Sequence, residues 1–164
     1  MQIRPEQPHD IDAIHALTRA AFANAAHRDG TEQDVVDALR AAGALSVSLV
    51  AEAGDELIGH VALSPVTLSD GSPGWYGLGP ISVAPAQQGQ GVGSALMRAA
   101  LAALQDRGAA GCVLLGDPAY YGRFGFRADS RLRLPGVPAE YFQAVSLRGE
   151  WPDADVRYHE AFGG

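Results

Sequence analysis

The sequence predicts a layered α/β domain with a mixed sheet. Three observations predict it. The elements run as one strand, two helices, a series of strands, a long helix, a strand, a short helix and closing strands. An apolar strand at 78–83 passes through a glycine-punctuated loop directly into an apolar helix from 94 to about 104. And 164 residues, 47% of them apolar, are enough for one domain with its own core.

In chain order, residues 1–4 read as a short strand. Asp10 reads as the N-cap of a helix over 11–23, with Ile11, Ile14, Leu17 and Ala21 on one face. Residues 27–30 read as loop. Thr31 followed by Asp34 is a capping-box variant before a helix at 32–42, whose apolar side is Val35, Val36 and Leu39 and which Gly43 ends. The β-like runs 45–53 and 56–63 flank Gly54-Asp55, a hairpin turn signal. The polar stretch 64–74 holds Pro65, Asp70-Gly71 and Pro73 and reads as loop, with a strand start near Val66. Strand resumes at 75–83. Proline cannot donate to a ladder, so Gly79-Pro80 predicts a break in sheet pairing there.

The long helix ends around 107–108, and 112–115 is a short buried strand. Gly116-Asp117-Pro118 stops it, and Pro118 suits the first position of a short helix running to 123. Runs 131–134 and 144–147 read as terminal strands separated by 135–138 and a short turn at 139–142, and 156–158 as a small extra strand. No internal repeat, low-complexity tract or second domain is visible. One domain over 1–164 is expected, with its core at about 1–147 and an extension at 148–164.

The formal net charge of −7 disfavours binding to nucleic acid or anionic membranes and mildly favours an amine substrate, although solubility alone would account for it. No run of 18 apolar residues predicts a membrane span, and the start lacks a secretory pattern. The single cysteine, Cys112, excludes an internal disulfide, and no cluster has metal-ligand spacing. A cytoplasmic protein without a metal is expected. Cys112 opens an apolar run and reads as a small buried hydrophobe. All 12 basic residues are Arg, so self-acetylation on a lysine side chain is excluded.

A strand, a glycine loop and a helix N-terminus together make a phosphate cradle, because the first-turn N–H groups point outward and the helix dipole adds partial positive charge. Gly89-Gln90-Gly91-Val92-Gly93-Ser94 is a near miss to the dinucleotide fingerprint, and a P-loop would need a lysine that the chain lacks. Such turns also serve as plain connectors. The pattern Gln88-x-x-Gly91-x-Gly93 after an apolar strand resembles the acyl-CoA pyrophosphate loop of the GNAT superfamily of N-acetyltransferases. Downstream, Tyr121-x-x-x-Gly125-Phe126 resembles the GNAT segment in which a tyrosine on the short fourth helix faces the thioester sulfur. With Leu-Gly-Pro-Ile-Ser-Val at 78–83, both motifs look like the YhbS-like bacterial branch. The resemblance covers about 1–147, most strongly 78–126 and weakly before Leu45.

The resemblance implies a GNAT-like, mostly antiparallel central sheet flanked by helices, with a splayed central strand. It implies acetyl-CoA as co-substrate and a primary amine of a small molecule or protein as acceptor, with a homodimer as an option by family analogy. The backbone of Ile81, Ser82 and Val83 would hold the pantetheine arm. Gln88, Gly89, Gln90, Gly91, Val92, Gly93 and Ser94 would hold the pyrophosphate. Many relatives carry Arg where Gln87 and Gln88 stand, so phosphate binding would lean on backbone N–H groups and the helix dipole. Tyr121 would be the general acid that protonates the departing thiolate; the competing reading is a core aromatic whose hydroxyl caps a loop. Tyr120 reads as packing or a pantetheine contact. Asp117 falls where many relatives carry an Asn that touches the pantetheine, but Asp cannot donate as Asn does. Arg123 would meet a phosphate or form a surface ion pair.

For a general base, the strand 75–83 offers neither carboxylate nor histidine. His60 on the preceding strand is the candidate, against a half-buried, satisfied histidine. His27 and Glu32 are weaker candidates, and an amine arriving neutral would need no base. No Ser/His/Asp triad is readable. Two other classes stay open: a non-catalytic acyl-CoA-binding or sensing module, and a nucleotide-binding α/β domain.

Overall fold

The computed structural model describes residues 1–23 and 30–163. In chain order its elements are β1 (Gln2–Pro5), α1 (Ile11–Phe22), α2 (Glu32–Ala41), β2 (Val47–Ala53), β3 (Glu56–Pro65), β4 (Thr67–Leu68), β5 (Trp75–Val83), α3 (Val92–Asp106), β6 (Gly111–Leu115), α4 (Pro118–Tyr121), β7 (Leu132–Arg133), β8 (Phe142–Ser146) and β9 (Ala154–Arg157). They fall into two units, 1–63 with 79–101 and 64–78 with 102–164. Strand β5 and helix α3 each contribute one end to either unit.

In the first unit the strand order is β1-β2-β3-β5. β1 pairs antiparallel with β2, and β2 with β3 through a hairpin whose Gly54 takes a φ of +62° that its missing Cβ permits. β3 is buried from Ile58 to Ser64, on both faces, which is why its apolar run is nearly unbroken. Successive side chains on a strand point to opposite faces. On one face Val50 packs with Ile14 of α1 and Val36 of α2. On the other lies α3, so close that a Cβ on Gly59 would sit 2.8 Å from Leu96 Cδ1 and 2.9 Å from Val92 Cγ1.

In the second unit the first half of β5 runs parallel to β6, with Trp75 opposite Gly111, and β6 is antiparallel to β8. A small second sheet has the order β4-β9-β7, with β9 antiparallel to β4 and parallel to β7. Trp75, Val113, Leu132, Phe142, Ala154 and Val156 share this unit's core. Residues 154–157 are therefore the middle strand of a sheet. Trp151 is covered by the guanidinium groups of Arg127 and Arg131, at 4.8 and 5.1 Å from its ring.

Strand β5 carries the expected break. The Val66 amide donates to Trp75 O (3.1 Å) and the Ala84 amide to Ile58 O (2.9 Å), so β3 and β5 are antiparallel. Between these bonds β3 advances eight residues and β5 nine, so β5 holds one residue without a partner. Gly79, at φ +140°, and Pro80, which has no N–H, are where it fits.

Two cap expectations fail. Asp10 makes no side-chain cap on α1. Its carboxylate accepts from the Gln7 amide (2.7 Å) and takes both terminal nitrogens of Arg4 (2.8 and 3.1 Å), which holds its pKa down at about 2. Thr31 likewise makes no side-chain cap on α2; its carbonyl accepts from the Asp34 and Val35 amides instead. Part of the loop expected at 27–30, with His27, lies outside the described residues. Among the described residues, no helix is long and apolar enough to cross a membrane.

Candidate active site

Within the first unit, β5 ends in a 3-10 turn at Pro85–Gln87 and the chain then passes through residues 88–91, all exposed. Gly89 and Gly91 take φ values of +79° and +88°, and a Cβ on either would meet nothing within 4 Å. The loop is open to solvent. The hydrogen-bond ladder of α3 starts with the Ala95 amide on Gly91 O (3.1 Å), so the amides of Val92 and Gly93 precede it. Val92 is buried and anchors the helix start. Gln88 differs from the expected phosphate contact in one respect: its side-chain amide donates to Val83 O (3.1 Å) and ties the loop to the strand. Its backbone is what it offers a ligand. In β5 itself Ile81 and Val83 are half-buried, while Ser82 is buried with no partner for its hydroxyl.

His60 is fully buried rather than half-buried. Gly59 faces α3, so His60 points to the opposite face, where Nε2 lies 2.8 Å from Ser48 Oγ. Ser48 also hydrogen-bonds the Glu6 carboxylate, and Glu6 is clamped by Arg40 through Nε and Nη2, both at 2.9 Å. Nδ1 of His60 has no partner. A buried polar atom left so costs about 1–3 kcal/mol. Burial pushes the imidazole pKa down from 6.5 to about 4; Glu6 opposes the shift and Arg40 adds to it. The ring is therefore neutral at pH 7, and a stability effect follows. Below pH 6.5 the unfolded chain takes up a proton that the folded ring refuses until about pH 4. Stability should fall across that window, by up to roughly 3 kcal/mol, and be flat above it. Urea unfolding at stepped pH checks this: His60→Gln should remove that part of the slope, and an unchanged slope would contradict it.

Within the second unit, α4 carries Tyr121. Asp117 caps α4, its Oδ1 accepting from the Ala119 amide at 2.9 Å, and Pro118 occupies the first turn as expected. The Tyr121 ring is half-buried, lies against the backbone of Gly116 and meets Tyr120 edge-on at 4.8 Å. Burial, then Tyr120 and Asp117, raise the phenol's pKa, so it is fully protonated at neutral pH. Arg123 lies over the Tyr120 ring at 4.7 Å and near Phe124 at 5.4 Å. Cys112 is buried and burial raises its pKa, so it supplies no thiolate. A cavity of about 670 Å³ near Leu68, Leu134, Tyr158 and Phe162 contains none of the expected site residues. Glu32 begins α2 and is half-buried. Among the described residues His15, Asp34 and Asp37 could approach a metal ion, and the 2.7 Å bond from His15 Nδ1 to Asp37 occupies two of them.

Sequence reasoning missed Glu6, Arg40 and Ser48 around His60, because their contacts join residues 12 to 42 positions apart. It also missed Gly116 as the support of the Tyr121 ring. The adjacency of a glycine to the strand end was its only signal.

The model of the acetyltransferase (GNAT) family matches residues 11–126, a stretch that includes His60, the loop and Tyr121. The chain belongs to the GNAT family. It is 38% identical over 170 residues to the uncharacterized N-acetyltransferase YhbS of Escherichia coli strain K12, covering 99% of this chain and 98% of YhbS. Among solved structures, it is similar to a GNAT family acetyltransferase from Brucella melitensis in complex with acetyl-CoA. The TM-score is 0.88 at 48% identity, over 98% of this chain and 97% of that one. It is similar as well to E. coli YhbS in complex with CoA, with TM-score 0.88 and 36% identity, over 99% and 92%. This GNAT chain thus has the mixed α/β fold expected for it, a sheet of mostly antiparallel strands flanked by helices, and its family is one of N-acetyltransferases.

Proposed function

We propose that this GNAT chain is a single-domain, acetyl-CoA-dependent N-acetyltransferase that passes the acetyl group directly to a primary amine of a small molecule or protein. The observation that carries this reading is the open loop at 88–91, leading into helix amides that the α3 ladder does not use. Acetyl-CoA and CoA bound to the Brucella and E. coli relatives support it. The diphosphate takes the amides of 89–94, where the helix dipole and the lack of side chains on Gly89, Gly91 and Gly93 compensate for the missing arginines. The pantetheine amides pair with the backbone of Ile81 to Val83, next to the unpaired residue of β5. The acceptor nitrogen attacks the thioester carbonyl, a tetrahedral oxyanion forms, and the C–S bond breaks. The nitrogen gives up one proton as the amide forms, the thiolate takes the phenolic proton of Tyr121, and the phenolate regains a proton from solvent. Asp117 shapes α4 through its cap, and Arg123 supports Tyr120.

Calorimetry tests the loop. CoA should bind more tightly than NAD or ATP. Gly91→Ala forces a side chain into φ +88° and should weaken CoA binding roughly tenfold, because the amides can no longer close on the anion without strain. Equal affinity in the variant, or preference for NAD or ATP, would remove the loop from the account.

A further inference from the structure

The first unit buries a polar chain, from Arg40 through Glu6 and Ser48 to His60, for which the acetyl-transfer steps above have no use. Its internal logic fixes the protons. The Glu6 carboxylate, clamped by Arg40, only accepts, so the Ser48 hydroxyl donates to it. Toward His60, Ser48 is then the acceptor, and Nε2 carries the ring proton across the 2.8 Å bond. Nδ1 is left with a bare lone pair, buried and without a partner. Ser82 Oγ is buried and without a partner too. Ala84 lies opposite Ile58 in the antiparallel β3–β5 pair. Two residues along each strand, before the extra residue of β5 is reached, Ser82 lies opposite His60 on the same face. Two residues with unpartnered polar atoms, which do not hydrogen-bond each other, are therefore cross-strand neighbours beside the strand assigned to the pantetheine. At the far end, Glu6, Arg40 and Ser48 line a surface cavity of about 280 Å³.

We propose that Glu6, Ser48 and His60 form a proton relay that carries the proton lost by the acceptor amine from the Ser82 side of β3 to solvent. The proposal rests on the acetyl-transfer reading. The amine N–H bond breaks and Nδ1–H forms through Ser82, whose hydroxyl takes the amine proton and gives up its own. Nε2–H breaks as Ser48 gains a proton, and the original Ser48 proton passes to Glu6. Glu6 then releases it into the cavity; after the product leaves, the Nδ1 proton departs through Ser82 and a proton returning through Glu6 and Ser48 restores Nε2–H. His60 is a conduit here, never a stored cation. The charged groups facing it are Glu6 and Arg40; Asp37 contacts Arg40 at 3.2 Å and His15 at 2.7 Å.

The test uses the full chain with acetyl-CoA and a panel of spermidine, tobramycin and short peptides with free amino termini or lysines, with kcat followed against pH. The wild-type profile should be level from about pH 6 to 9. Ser48→Ala should be about tenfold slower at neutral pH and recover as pH rises, because hydroxide replaces the relay. Ser48→Thr should restore the level profile. A Ser48→Ala profile parallel to the wild type, whether equal or uniformly lower, overturns the relay alone. Absence of transfer by the wild type to every amine overturns the acetyl-transfer reading, and the relay with it. A second measurement stands apart from activity. The ¹⁵N spectrum of the His60 ring at pH 7 should show the neutral Nε2–H tautomer; an Nδ1–H tautomer or an imidazolium overturns the relay.

Discussion

Tyr121→Phe should lower kcat by about 10²-fold or more while leaving the KM for acetyl-CoA unchanged, the usual scale for losing a positioned general acid. The substitution removes one oxygen and keeps the ring that rests on Gly116, so α4 and its Asp117 cap should persist. The raised pKa of the phenol fixes the pH behaviour. The acid form is present throughout the neutral range and is lost only above that raised value. The wild-type profile should therefore show no alkaline fall from this group below about pH 10. In the variant, thiolate departure depends on water, so an activated thioester with a better leaving group should recover much of the loss. Undiminished kcat with acetyl-CoA would take the acid role away from Tyr121.

Gly116→Ala should be nearly as damaging without touching the hydroxyl. A Cβ at position 116 would stand 2.3 Å from Tyr121 Cε2 and 2.7 Å from Cδ2. The backbone there cannot retreat easily. The Gly116 amide donates to Tyr141 O (3.0 Å), and its carbonyl accepts from Gln143 Nε2 (2.9 Å). The ring must move instead, and displacement by about 1 Å is enough to cost on the order of 10²-fold in rate. Steady-state kinetics with acetyl-CoA checks it, and Tyr121→Phe added to Gly116→Ala should cost little more, since the hydroxyl is already misplaced. Full additivity of the two losses would mean that Gly116 acts elsewhere.

What the sequence made legible was local. Strand β5 is found at 75–83 as expected, because Trp75 and Val83 bound an apolar run between turn signals, and Gly79-Pro80 forecast its extra residue. The loop and α3 followed from glycine spacing. Pro118 marked α4. Contacts distant in sequence were not legible. Asp10 has the chemistry of an N-cap, but Arg4 arriving from β1 and the Gln7 amide of the preceding turn take its carboxylate. The sheet β4-β9-β7 is built from strands of two to four residues, too short to show a period of two. His60 could be picked out as a histidine on a strand, but its complete burial and its Ser48–Glu6–Arg40 chain depend on β1, β2 and α2 converging.

The most direct measurement is mass spectrometry of an amine panel mixed with the protein and acetyl-CoA, with the free thiol counted in parallel. At least one amine should gain one acetyl group for each thiol released, and the protein itself should retain none, since it has no lysine and its one cysteine is buried. Tight binding of acetyl-CoA with no thiol released in the presence of any amine would contradict acetyl transfer and leave a binding module in its place.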